Sequence, residues 1–314
     1  MAHEPDPSRE LQELLDRPPQ LTRRPTVATL EPRLFVLQPV LDHGFVRLID
    51  YMGDDAAIVQ AARVSYGAGT RAVSDDRGLI RYLMRHRHTT PFEMCEIKLH
   101  VKLPIFIARQ WIRHRTANVN EYSARYSILD REFYLPAPEQ IAVQSSSNRQ
   151  GRGEVVTPEQ AAAILDLLRR DAISSYATYE QLLNDQGDGS PVDPGAPQVA
   201  RELARMNLTL NTYTQWYWKV DLHNLLHFLS LRMDAHAQYE IRVYADVIAT
   251  LVRDWVPHAW EAFDDYRVGG AMFSRAELDV VRQALAGGDL AELIRTSPLS
   301  AREKRELREK LVPG

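Results

Sequence analysis

Apolar and polar side chains alternate most cleanly over residues 95–103. Cys95, Ile97, Leu99, Val101 and Leu103 share one parity and Glu96, Lys98, His100 and Lys102 the other, the pattern of a half-buried strand. Residues 45–51 are also strand-like. Between them, residues 54–65 read as a helix with Ala56, Val59, Ala62 and Val64 on a mostly apolar face. Ser74 ahead of Asp75 and Asp76 predicts another helix start, because a hydroxyl caps free amides and acids favour the positive helix end. That helix runs to about Arg87 and delivers His88. Pro104 suits the first turn of a further helix reaching about Arg115, which sets Gln110, Arg113 and His114 on one face. Residues 118–121 have turn composition.

The second half is more helical. Thr157, Pro158 and Gln160 form a capping box that opens a long helix to about Asn184. Residues 185–197 are a Gly-, Pro- and Asp-rich loop, and residues 199–206 are helical. Residues 208–220, rich in Thr, Tyr and Trp, fit either an irregular strand or a helix. Asp221 caps a helix over residues 222–232, whose Leu222, Leu225, Leu226 and Leu229 make a core stripe. A long helix over residues 235–255 stops near Pro257, and charged, capped helices follow from Ser274. Residues 1–43 are dominated by proline and charge, with one short helical pattern at residues 11–15. The reading is an α+β fold, a mixed or antiparallel sheet with several long helices. It places one domain at residues 44–269, between an N-terminal extension (1–43) and a helical C-terminal extension (270–314).

Composition narrows the function classes. With 314 residues, 45% hydrophobic and 25% charged, the chain can bury a sizeable core. Its net charge of −4 argues against a general nucleic-acid binder. No apolar run approaches the ~18 residues that span a bilayer, and the charged, Pro-rich N-terminus lacks a signal-peptide core. The single cysteine excludes an intramolecular disulfide and fits a reducing cytoplasm.

The chemistry concentrates in residues 109–127. Arg109, Arg113, Arg115 and Arg125 lie there, with Arg131 just beyond, alongside His114, Glu121 and Ser123. Guanidinium forks match phosphate and carboxylate bidentately, so the cluster suits an anionic, nucleotide-like ligand. A solvated charged face is the competing reading, but Ile105, Phe106, Trp111 and Ile112 are too apolar for it. Arg109 precedes the patterned positions and reads as an ion-pair partner. Ser123 has no base placed to activate it and reads as a phosphate donor rather than a nucleophile. Arg113, His114 and Arg115, followed after seven residues by Ser123, resemble the signature of flavin-dependent thymidylate synthases, which methylate dUMP without a cysteine nucleophile. The stretch from His88 through Thr90 to Glu93 resembles that family's upstream motif, and the one from Leu231 to Glu240 its downstream motif. The resemblance covers roughly residues 44–266.

That resemblance implies reductive methylation of dUMP to dTMP, with carbon from 5,10-methylenetetrahydrofolate and hydride from NADPH through FAD, in a homotetramer with sites between subunits. It assigns His88, Thr90, Arg113, His114, Arg115, Glu121, Asp221, His223 and His227 to FAD. To dUMP it gives Gln110, Arg113, Glu121, Tyr122, Ser123, Ala124, Arg125, Arg205 and Arg232. Arg232 takes the catalytic role, since a guanidinium at the ring nitrogen between two carbonyls favours the ionised uracil and enriches carbon 5. Cys95 shares parity with the apolar face of its strand and reads as an inert core residue, not a thiolate nucleophile. Two alternatives come from other classes. His223 and His227, four apart on a helix, resemble half of a zinc-hydrolase site, but Asn224 stands where a metalloprotease needs glutamate and only His236 offers a third ligand. A nucleic-acid-binding module would rest on the arginines alone.

Overall fold

The computed structural model describes residues 12–18, 20–65, 75–146 and 151–312. The chain divides into two compact units, Met1–Trp260 and Glu261–Gly314. The first is built on five antiparallel strands: β1 (Leu37–Val40), β2 (Gly44–Met52), β3 (Glu96–Pro104), β4 (Asn118–Glu121) and, after a separate hairpin of β5 (Ala142–Gln144) and β6 (Arg152–Val155), β7 (Tyr213–Asp221). Their order is β1-β2-β3-β7-β4. The architecture is therefore α+β with an antiparallel sheet. Residues 208–220, left open by propensity, supply the strand that joins the centre of the sheet to its edge. Leu30 is fully buried and β1 pairs with β2, so residues ahead of Gly44 pack into this unit.

Strand β3 corrects the half-buried expectation. Its apolar parity is covered, with Ile97, Leu99, Val101 and Leu103 at 1% exposure or less, yet His100 and Lys102 on the other parity are buried as well. Polar partners make that burial possible. Lys102 forms an ion pair with Glu132. His100 Nδ1 lies 2.7 Å from Arg47 Nη2 and Nε2 lies 3.0 Å from Gln215 Oε1. Burial pulls the His100 pKa down to about 4, helped by Arg47. The ring is therefore neutral, accepting from Arg47 and donating to Gln215.

The helices of this unit are α1 (Asp55–Arg63), α2 (Asp76–Arg85), α3 (Thr90–Glu93), α4 (Ile105–Trp111), α5 (Pro158–Leu183), α6 (Arg201–Ala204), α7 (Leu222–Arg232), α8 (Tyr239–Trp255) and α9 (Pro257–Phe263), the last running across the boundary between units. Asp75 caps α2, its carboxylate accepting from Arg77 N–H, while Ser74 lies outside the described residues. Thr157 and Gln160 make the expected capping box of α5. Helix α4 stops at Trp111, short of Arg115, because Trp111 is the interior anchor. It is fully buried and stacks on Phe228 at 4.6 Å. The chain then turns, with His114 N–H donating to the Trp111 carbonyl at 2.9 Å. Arg113 and His114 thus leave the helix and feed β4, which replaces the expected turn at residues 118–121. Helix α8 begins at Tyr239, not at Ala235, because Asp234 draws the chain into a turn by accepting His236 N–H at 2.7 Å. Among the described residues no helix is long and apolar enough to cross a membrane.

The second unit packs α10 (Arg275–Leu285), α11 (Leu290–Thr296) and α12 (Ala301–Leu311) around Val280, Ile294, Leu299 and Leu307. Capping boxes from Ser274 to Glu277 and from Ser300 to Glu303 open its first and last helices.

Candidate functional site

Strand β7 passes straight into α7, and this handover positions Arg232. Asp221 ends the strand and caps the helix: Oδ1 accepts Asn224 N–H at 2.9 Å and Oδ2 accepts the Asn224 side-chain amide at 2.7 Å. The helix buries Leu222, Leu225, Leu226, Phe228 and Leu229 and brings Arg232 to its C-terminal end, where a cation is favoured. His114 faces it from the turn after α4, its ring edge-on to Phe228 at 5.0 Å. Arg232 Nε–H donates to His114 Nε2 at 3.0 Å.

That hydrogen bond fixes the imidazole's state. Burial, then Arg232 and His227, pull the His114 pKa down to about 4, so the ring is neutral and carries its proton on Nδ1. The His227 ring lies 6.0 Å away. Burial and Arg113 lower the Arg232 pKa, which places Arg113 within electrostatic reach. Among the described residues neither Arg113 nor Arg232 has a carboxylate partner. Cations without a carboxylate partner suit an anion or an electron-rich ring. The Gln110 carboxamide oxygen is buried with no donor among the described residues.

A second group lies along the exposed edge. Glu121 ends β4 and accepts the Thr214 hydroxyl at 2.8 Å. Tyr122 N–H donates to the Gln215 carbonyl at 2.8 Å and its hydroxyl to the Ile128 carbonyl at 3.0 Å. Ala124 is buried, and Ser123 Oγ accepts Arg125 N–H at 3.3 Å. No histidine or carboxylate bonds that hydroxyl among the described residues. Arg125 pairs with Glu202 on α6 at 3.0 Å, and Arg205 stands exposed at the end of the same short helix.

The remaining sequence-chosen residues lie around these groups, His227 with its ring 6.0 Å from that of His114. His88 is exposed after α2, its ring edge-on to Tyr82 at 5.8 Å, and Thr90 is exposed at the start of α3, which packs on α7. Arg115 is exposed just before β4. His223 is half-buried and His227 exposed on α7, and among the described residues no three His, Cys, Asp or Glu side chains gather to hold a metal. Cys95 is fully buried, with its thiol toward the Asp54 carbonyl at 3.5 Å, and burial pushes its pKa up to about 12. Sequence reasoning missed Thr214 and Glu202, each of which holds a chosen residue. The only trace of Glu202 is its position three before Arg205 on one helical run.

The family described as thymidylate synthase complementing protein matches residues 47–258. A flavin-dependent thymidylate synthase of Gluconobacter oxydans is 63% identical over 289 residues, 92% of each chain, and one of Ruegeria pomeroyi is 62% identical over 288 residues, again 92% of each. A UMP/dUMP methylase, PolB from Streptomyces cacaoi, crystallised with 5-Br UMP, superposes with a TM-score of 0.62 at 33% identity, covering 73% of this chain and 96% of that one.

Proposed function

Because the chain belongs to the flavin-dependent thymidylate synthase family, we propose that the Arg232–His114 pair is the centre at which it activates uracil. The reaction is reductive methylation of dUMP to dTMP. FAD, when bound, relays hydride from NADPH, and 5,10-methylenetetrahydrofolate is the carbon donor. Supporting the pair's role is one observation: the 3.0 Å bond from Arg232 Nε to a neutral His114.

The bond occupies Nε and leaves the two terminal nitrogens of Arg232 as a fork for the uracil carbonyl and ring nitrogen. A cation there favours the ring's ionised form and raises the nucleophilicity of carbon 5. Neutral His114 orients the guanidinium without competing for its charge. Gln110 accepts a ligand N–H, Glu121 is held by Thr214, and Ser123, Arg125 and Arg205 receive the phosphate, with Tyr122 and Ala124 shaping the loop between them. His88, Thr90, Arg113, His114, Arg115, Glu121, His223 and His227 are the residues for FAD. Asp221, whose oxygens are both engaged by Asn224, serves it through the helix it caps. The assembly is a cytoplasmic homotetramer, with residues 44–269 as the catalytic domain.

The test is dTMP formation from dUMP by the purified yellow protein. Arg232→Ala should keep its flavin absorbance and lose at least tenfold in turnover, since a charge-assisted hydrogen bond contributes ~1.5–3 kcal/mol. Turnover within twofold of the parent would remove Arg232 from the chemistry.

A further inference from the structure

The ion pair between Arg125 and Glu202 is placed by the backbone on both sides. Arg201 anchors the start of α6, donating to the Tyr126 carbonyl at 2.6 Å and to Asp185 at 3.0 Å. Ala204 secures the other end in a core with Tyr176, Tyr179 and Leu183. Glu202, between these anchors, is thereby aimed at the loop carrying Ser123 and Arg125. Its Oε2 lies 3.0 Å from Arg125 Nε, with the two side chains 52% and 58% exposed.

We propose that Glu202 is an internal competitor of the substrate phosphate for Arg125. This rests on the reading that Arg125 receives the phosphate of dUMP. A singly charged carboxylate and a phosphate monoester present the same planar-fork acceptor to a guanidinium, and the phosphate brings the greater charge and one more oxygen. A half-exposed ion pair is weak, so the phosphate replaces the carboxylate at small cost. On release of dTMP the carboxylate returns. Glu202 therefore loosens substrate and product alike and limits retention of product. It acts on nucleotides and leaves the nucleoside untouched.

The experiment measures dissociation constants of dUMP, dTMP and deoxyuridine by calorimetry on the holoenzyme. Glu202→Gln, an exposed isosteric change, should tighten dUMP and dTMP by about two- to fivefold and leave deoxyuridine where it was. Glu202→Asp, which keeps a carboxylate, should stay closer to the parent. In an Arg125→Gln background, the gain from Glu202→Gln should disappear. If Arg125→Gln weakens dUMP but Glu202→Gln changes nothing, the competitor role is overturned and the phosphate reading stands. If Glu202→Gln weakens dUMP, Glu202 positions Arg125 rather than competing for it, and the proposal is wrong. If Arg125→Gln leaves dUMP affinity unaltered, the phosphate reading fails first and the competitor role with it.

Discussion

Replacing Cys95 by alanine should leave dTMP synthesis close to that of the parent. The side chain is fully buried, and among the described residues its one polar contact is the weak bond to the Asp54 carbonyl at 3.5 Å. With the pKa pushed up to about 12 by burial first and Asp54 and Asp55 next, a nucleophilic thiolate exists in only about one molecule in 10⁵ at neutral pH. Activity carried by so small a fraction would be negligible, so the sulfur matters for packing alone. Removing it forfeits the transfer energy of one small buried atom and leaves a void smaller than a methyl group. The cost is ~1–2 kcal/mol, a fall in melting temperature of roughly 2–6 °C for a unit of this size. Thermal melting, flavin absorbance and NADPH-dependent dTMP formation, all on the same preparation, check the three parts separately. A folded variant with full flavin and no dTMP synthesis would refute the reasoning, because a covalent thiol step would then be required.

His114 should titrate near pH 4 by NMR, and a midpoint above 6 would break the neutral-acceptor argument. Its folded pKa lies below the unfolded value, so its contribution to stability is complete above about pH 6.5 and is lost as pH falls towards 4. Glu240→Ala should destabilise the first unit by ~1–3 kcal/mol, measured by denaturant unfolding. Its carboxylate is 3% exposed and accepts from Tyr134, Arg152 and Gln238, so truncation leaves the buried Tyr134 hydroxyl without its acceptor, while the partly exposed Arg152 keeps its bonds to Gln140. Loss of less than 1 kcal/mol would mean that those donors repartner readily. Deleting residues 274–314 should preserve dTMP synthesis, and its loss would show that the second unit takes part in catalysis.

Local signals in the sequence were reliable where one residue decides the structure. Thr157 with Gln160 and Asp221 with Asn224 are closed by partners three residues away, so their caps were legible. Strand β4 was not, because all four of its side chains are exposed and an edge strand held only by β7 needs no apolar alternation. The burial of Lys102 was hidden for another reason. It depends on Glu132, thirty residues further on, and no periodic pattern carries that. Arg113, His114 and Arg232 stood out because three separated motifs coincide in one known pattern. Thr214 and Glu202 carry no pattern and gain meaning only from the residues they touch.

The uninterrupted passage from β7 into α7 also decides which side of the active site can yield. Arg232 hangs from a helix whose first turn is stitched to the last residue of a central strand, with no linker to absorb a rotation. Its opposite number, His114, rides on residues 112–117, a tether between α4 and β4. The bonded pair thus joins an anvil to a hinge, and whatever adjustment the pair makes falls to the tether while the helix holds still. Shortening or stiffening that tether, which itself carries Arg113, His114 and Arg115, would perturb the binding groups and their freedom together.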